Sequence, residues 1–406
     1  MGKHMVYSLK NLPPVHPRPL PLKASRWFVA LALMLAVSVI LMRVFGRYVE
    51  GNHFWYIALG APAIIWGIAA GGRLLVWMLR DIAANGFDRR REAWILHETR
   101  RARRAMQVLG VSFVTGHPEN TREEIVAAML AHQTIMAAQT DWQGNKGQRL
   151  SRIEAEPDEK PDATVQRVLT QLIEDLSLAD LPDTTSLVVA LDASTSCEPD
   201  VVNQAWENAR QACELACAVE FIPCRGPAFL DAWLDHRIRE ESLLLIIGLQ
   251  VAPEQTDHSA EAAVALLLGN RLTQKTLPAI ALLHRPDPAL PGQLEAGMRM
   301  AAYNVPVDGD SVTHLWLAGL NQKQQAEVAS HQGAYPTQAV GDEQIITPDS
   351  TVGQAGAAAP WLAMAAAVQA AQDIQRPQMI ICGDIHRDEL WSTLVTPEAY
   401  RKEKDS

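Results

Sequence analysis

The stretch 350-STVGQAGAAAPWLAMAAAVQAA-371 decides how this chain is read. Glycines and alanines feed straight into an apolar segment, and the pattern predicts a helix over 355–373. A helix with so little bulk either packs tightly against another backbone or holds something at its start. The segments around it read as strands: SLVVALD (186–192), AVEFIP (218–223), SLLLIIGLQV (242–251), AAVALLLGN (262–270), LPAIALLH (277–284) and, as the last strand, QMIICGD (378–384). Helices are expected at 200–217, 227–238 and 321–331. Strands alternating with helices, in near-continuous apolar runs, argue for an α/β fold with a covered sheet. The pair 262–270 and 277–284, joined by 271-RLTQKT-276, reads as an antiparallel hairpin within a mixed sheet. No repeat of 20–50 residues is visible.

Working outward to the N-terminus, two segments are apolar enough to cross a bilayer. Trp27 to Met42 is uncharged, and Val44 and Phe45 extend it past Arg43. Residues 54–72 carry no charge, and 74–79 prolong them past Arg73. A span needs roughly 20 such residues. Trp27, Trp55, Tyr56 and Trp77 stand near the ends, where aromatic rings favour the interface. Basic residues flank both outer ends, whereas 43–53 holds only Arg43, Arg47 and Glu50 as charges. The positive-inside rule therefore predicts a hairpin with both termini cytoplasmic, in a bacterial inner membrane. The expected organisation is a basic N-terminus (1–26), a transmembrane hairpin (27–79), a basic juxtamembrane helix (80–110) and an acidic α/β body (111–406). The run 89-RRREAWILHETRRARRAMQVL-109 reads as a helix leaving the membrane. Its Arg89, Arg90 and Arg91 are the expected lipid contacts, worth about 1 kcal/mol each near an anionic surface.

Charge separates the two parts. Residues 1–104 hold 16 Lys and Arg against 5 Asp and Glu, a net +11; the other 20 basic and 41 acidic side chains make the remainder −21. A body this acidic is a poor nucleic-acid binder, because phosphate contacts need positive potential. Its five cysteines, Cys197, Cys213, Cys217, Cys224 and Cys382, form no repeating framework and read as reduced thiols. Within the body, Asn120 with Glu123 resembles a capping box for a helix over 121–139. Residues 141–163 read as a loop.

Candidate chemistry is sparse. Cys213 and Cys217, four apart on one expected helix, have a spacing that suits zinc, with His236 the nearest histidine, but further ligands are not evident and core thiols are the simpler reading. Asp384 and His386 in GDIHRDE (383–389) follow a strand and are similar to the Gly-Asp-x-His of metallophosphatases, whose other motifs the chain lacks. No metal and no cofactor is expected. No Rossmann, Walker A or nucleophile-elbow motif is present. Cys197, in a TSC turn after a strand, and Cys224 are the candidate nucleophiles; a base such as histidine would be needed, and no body histidine is marked by its neighbours.

The opening stretch, with Gly353 before a small-residue turn and an alanine-rich helix, resembles the C-terminal part of ketosynthases and related thiolase-fold enzymes. There a Gly-His pair precedes the same turn. SLLLIIGLQVAPEQ with HSAEAAVALLLGN is similar to that family's central strand, turn and following strand. SVTHLWLAGLNQKQQAEV falls at its His-Gly-Thr, and QMIICGD near its final Gly-rich strand, so the resemblance covers about 186–390. It implies a layered αβαβα body and a dimer. The departures bear on function: Gln354 stands where the family has histidine, Leu317-Ala318-Gly319 stand near its His-Gly-Thr, and its Cys-Ser-Ser-like turn is absent. Those groups stabilise the oxyanion and attack the thioester. The resemblance thus implies a relic cleft at Gly353, Gln354 and Gly356, and a scaffold or adaptor with protein partners at the cytoplasmic face. A membrane-tethered acyl-transferring or condensing enzyme using a cysteine is the alternative, and a hydrolase built on Asp384 and His386 a third. The whole chain, basic hairpin plus acidic body, is similar to accessory membrane proteins of bacterial type VI secretion.

Overall fold

A computed structural model describes residues 13–400 apart from 46–50, 118–120, 156–158, 183, 271, 274–276, 386 and 399. It separates into two compact units, 8–99 and 100–406, the residues before 13 lying outside the description.

The first unit contains α1 (Ala24–Phe45), α2 (Asn52–Trp55) with the π-turn Tyr56–Gly60, and α3 (Ala61–Ala102). α1 and the helical stretch 53–102 are both long and apolar enough to cross a membrane, and neither is a buried core helix. Within the unit Trp66 donates its indole N–H to the Trp27 carbonyl at 2.7 Å, and Phe28 packs on Trp66. Arg18 pairs with Asp88 at 3.0 Å, and Arg91 Nε donates to the Pro13 carbonyl at 2.7 Å. Arg89 and Arg90 are exposed. The basic helix read over 89–109 is shorter than expected. It stops at Ala102, and residues 105–110 belong to a strand.

That strand, β1 (Ala105–Thr115), opens the second unit. There follow α4 (Arg122–Leu130), a small hairpin of β2 (Ala137–Gln139) and β3 (Gln148–Leu150), α5 (Pro161–Asp175), β4 (Ser186–Thr195), α6 (Pro199–Ala212), β5 (Ala218–Pro223), α7 (Ala228–His236), β6 (Leu243–Val251) and β7 (Ala262–Gly269). The second half of the body has β8 (Ala281–His284), β9 (Asp287–Ala289), α8 (Leu294–Asn304), β10 (His314–Ala318), α9 (Gln322–Ser330), β11 (Ile345–Ile346), α10 (Pro348–Thr351), α11 (Ala359–Ile374), β12 (Gln378–Asp384) and β13 (Arg387–Pro397).

The large sheet runs β11-β10-β12-β13-β8-β1-β7-β6-β4-β5, with β9 beside β13. Its two halves repeat one another. In each, a first strand (β1 or β8) is followed by three helix–strand steps and a final antiparallel strand (β7 or β13). In each, numbering the strands by chain order within the half, the spatial order is third, second, fourth, fifth, first. The three outer strands of each half are parallel (β5, β4, β6; β11, β10, β12), and β1 joins β8 antiparallel where the halves meet.

Side-chain alternation sorts the strands between three cores. Val188 and Ala190 of β4 face the cluster around α7 and α11, while Leu187 and Val189 face the cluster around α5 and α6. In the second half Ile380 and Cys382 of β12 face the central cluster, and Met379 and Ile381 the cluster around α8. The layers are therefore α5/α6, sheet, α7/α11, sheet, α8/α9, an αβαβα body. α11 lies in the middle layer with Ala359 to Ala371 buried throughout, as expected for a helix without a polar stripe. It ends where Gln375 takes a left-handed conformation ahead of Pro377.

Several expectations are corrected. The segments 262–270 and 277–284 are not a hairpin, because β1 lies between β7 and β8 and pairs with both. The 121–139 helix ends at Leu130, with His132 at φ 54°. Its N-cap is Thr121, bonded to Glu124, while Asn120 lies outside the described residues. The 141–163 loop contains β3 and the first turn of α5. β12 is not the last strand. Cys213 and Cys217 do not share a helix, since α6 ends at Ala212.

Candidate functional site

In both halves the parallel strands end on the same side of the middle layer, where the loops leading into α7 and α11 meet. Strand ends of an α/β sheet leave backbone groups and short loops free to hold a ligand. Asp192 closes β4. Its Oδ2 accepts the Gly226 N–H at 2.8 Å and the Trp361 indole N–H at 3.0 Å, so it ties the turn before α7 to the first turn of α11. Gly226 in turn lies against Asp384 at the end of β12; a Cβ built on it would stand 3.1 Å from that carboxyl group.

The stretch before α11 is fixed by its neighbours. The Gln354 N–H donates to the His258 carbonyl at 2.9 Å. Its own carbonyl accepts from the Ala260 N–H at 2.9 Å and from Gln250 Nε2 at 2.6 Å. Gly353 has φ 105°, and a Cβ there would meet the Ser259 carbonyl oxygen at 2.6 Å. Gly356 has φ 50° and lies against the Gln250 side chain. Only glycine fits both places, so these residues serve close backbone packing. The backbone of Gln354 is thus pinned while its side chain is exposed.

That side chain stands between two cavities. One, about 470 Å³, is lined by Met136, Leu317, Leu320 and Gln325 together with His258, Thr347, Asp349 and Ser350. The other, about 440 Å³, is lined by residues that include Ser194, Thr195, Gln250, Ser259 and Gly356. Asp349 Oδ2 accepts the Gly319 N–H at 2.8 Å, and burial pushes its carboxyl up to about 6.

The two candidate nucleophiles are not brought together. Cys224 sits on the turn between β5 and α7 in the central core, only 5% exposed. Burial, and then the Asp192 carboxylate, push its thiol well above the usual range. Its thiol has no hydrogen bond and no histidine partner among the described residues. Cys197 packs against the outer core beside α5 and α6, with its N–H on Thr195 Oγ1. Cys382 is buried and pushed up likewise, by burial and then by Asp384. Among the described residues no group of three His, Cys, Asp or Glu comes together as a metal site. Cys213 Sγ lies 3.8 Å from the Thr170 carbonyl. Asp384 is buried at a strand end, and His386 lies outside the described residues.

Sequence reasoning missed Asp192, Gln250, His258, Asp349 and Trp361. Asp192 had a signal, a carboxylate closing an apolar strand. The others are defined by contacts that reach 30 or more positions along the chain.

No family model matches this chain, and no curated protein matches it. Among solved structures, the ishigamide ketosynthase/chain length factor matches with a TM-score of 0.54 at 14% identity, over 72% of this chain and 99% of that one. OleA from Xanthomonas campestris (TM-score 0.44, 9% identity, 72% and 98% covered) is a weaker likeness. So is the 3-oxoacyl-[acyl-carrier-protein] synthase III of Aquifex aeolicus VF5 (0.41, 10%, 72% and 99%). The first match agrees with a thiolase-like fold for the body of this chain.

Proposed function

We propose that this chain is a membrane-anchored thiolase-like protein that works by binding rather than by acyl transfer. Its body is a scaffold or adaptor at the cytoplasmic face of a bacterial inner membrane, serving an envelope assembly such as type VI secretion. The observation that carries the reading is the state of Cys224. A nucleophilic thiol has to be a thiolate at working pH, which takes a cation, a helix start or a histidine beside it. Cys224 precedes α7, but among the described residues it has burial and a carboxylate beside it rather than a cation or a histidine. Gln354, which stands where the resembled family has histidine, neither takes a proton nor carries charge, so it cannot serve as a general base. The type VI setting rests on the resemblance of the whole chain. The anchor rests on α1, α3 and the basic flanks, with Arg89 and Arg90 as headgroup contacts.

A second reading has one observation in its favour. Cys224 stands on the turn into a central-layer helix, at the strand ends where the cleft opens, which is where a condensing enzyme would place a nucleophile. Thioester turnover separates the two. The full chain in detergent should release no free thiol from an acyl thioester above the background of Cys224→Ser, and steady release that this substitution abolishes would favour the enzyme. For the anchor, a reporter fused to the C-terminus should be active only in the cytoplasm. Periplasmic activity would reverse the assigned topology.

A further inference from the structure

We propose that the cavity beside Asp349 binds an organic cation, an ammonium or guanidinium group on an apolar stem. The inference rests on the binding reading above and names what the cleft takes. Asp349 stands in the cavity wall. One carboxyl oxygen accepts a single backbone N–H, and the other is sheltered from solvent with no hydrogen-bond partner among the described residues. No described Lys or Arg lines this cavity or its neighbour, while the neighbour adds Glu254 and Asp257. A concave site with one sign of charge and low-dielectric walls concentrates the opposite sign. The net charge of −21 beyond residue 104 reinforces that preference at longer range.

The rest of the lining suits the stem. Met136, Leu317 and Leu320 supply apolar wall on which a short aliphatic chain can lie while its charged end meets Asp349. Gln354, with its backbone locked and its amide exposed, can accept an N–H from the same head group through Oε1. An anion of equal size would meet the carboxylates without compensation. The cation can be a free amine or a lysine or arginine side chain of a protein partner; the chemistry at Asp349 is the same.

The test is calorimetry on the full chain in a non-ionic detergent, with hexylammonium as probe and hexanoate as its anionic counterpart. Hexylammonium should bind and hexanoate should not. In Asp349→Asn, which keeps an acceptor for the Gly319 N–H, hexylammonium should bind at least ten-fold more weakly. Wild-type protein gives a second arm that needs no variant. A carboxyl that titrates at about 6 is charged above that pH, so affinity should fall about ten-fold between pH 7.5 and pH 5. His258 lines the same cavity, beside Asp257. The fall must therefore persist in His258→Gln. Equal binding of hexanoate, no heat with hexylammonium, or an affinity blind to both Asp349→Asn and pH would overturn the proposal. Displacement of hexylammonium by acetyl-Leu-Lys-Leu-amide with a tighter Kd assigns the cation to a partner's side chain; failure to displace it assigns a free amine. Acylation of Cys224 would remove the binding reading whatever hexylammonium does. A silent cavity with Cys224 unmodified would remove only this inference.

Discussion

Trp361→Ala is expected to destabilise the body by about 3–5 kcal/mol, the usual cost of removing a buried aromatic side chain from a packed core. Trp361 is fully buried at the start of α11, with its ring against Gly248 of β6, so the cavity left behind lies between the middle layer and the first sheet. A second cost adds to the first. The indole N–H is one of the donors that hold Asp192, and its loss leaves a buried carboxylate oxygen with one partner fewer, about 1–3 kcal/mol for such a group. Trp361→Phe separates the terms, since it keeps most of the volume and loses the donor. Chemical denaturation of the purified chain should place it between the wild type and Trp361→Ala. Equal stability of all three would mean that α11 is not the central packing element.

The other large effect is expected at Arg285. Its side chain is fully buried. Nε donates to Asp231 Oδ1 at 2.6 Å, Nη2 lies 2.8 Å from Asp235 Oδ1, and Nη1 donates to the Arg101 carbonyl at 3.1 Å. One guanidinium thus joins Arg101, the face of α7 and the chain after β8. Removing one partner of a buried pair strands the other, at about 3–5 kcal/mol, so Arg285→Ala should cost that much. The defect should depend on pH. Asp287, two residues on, is buried and its carboxyl is pushed up to about 7, opposed by Asn304 and by Arg285. The folded chain therefore keeps a proton there that the unfolded chain releases near 4, and the body loses stability as pH rises from about 4 to about 7. Without Arg285 the ionised form is harder still to bury. The loss in Arg285→Ala should be larger at pH 8 than at pH 5, read as the shift in denaturation midpoint at each pH.

How much of this was legible in the sequence depends on how local each feature is. α1, β6, β12 and α11 are continuous apolar runs, and composition alone finds them. β1 went unread because AMQVLGVSFVT follows the arginine run with neither glycine nor proline between. Its partners begin at positions 262 and 281, so nothing nearby announces it. Strand order is a non-local property, which is why β7 and β8 looked like a hairpin. α5 was hidden behind a polar stretch, though VQRVLTQLI has a helical spacing of apolar residues.

The site divides in the same way. Gly353, Gln354 and Gly356 were legible because their peculiarity is in the local string. The turn that carries Cys224 follows from the expected strand 218–223 and helix 227–238, whereas its burial in the central core depends on elements far along the chain. Cys197, equally plausible from its neighbours, packs with a different core. Asp349 lies next to the stretch that opened the reading, but nothing local marks it; its role depends on Gly319, some 30 positions away.

The central claim is that the thiolase-like body has no activated nucleophile. The direct measurement is the intact mass of the full chain after incubation with an acyl thioester at neutral pH, followed by peptide mapping of the five cysteines. The account predicts no stoichiometric acyl adduct at Cys224, because a thiol pushed up by burial and by Asp192 is not ionised there. One acyl group per chain, mapped to Cys224 and absent in Cys224→Ser, would contradict it.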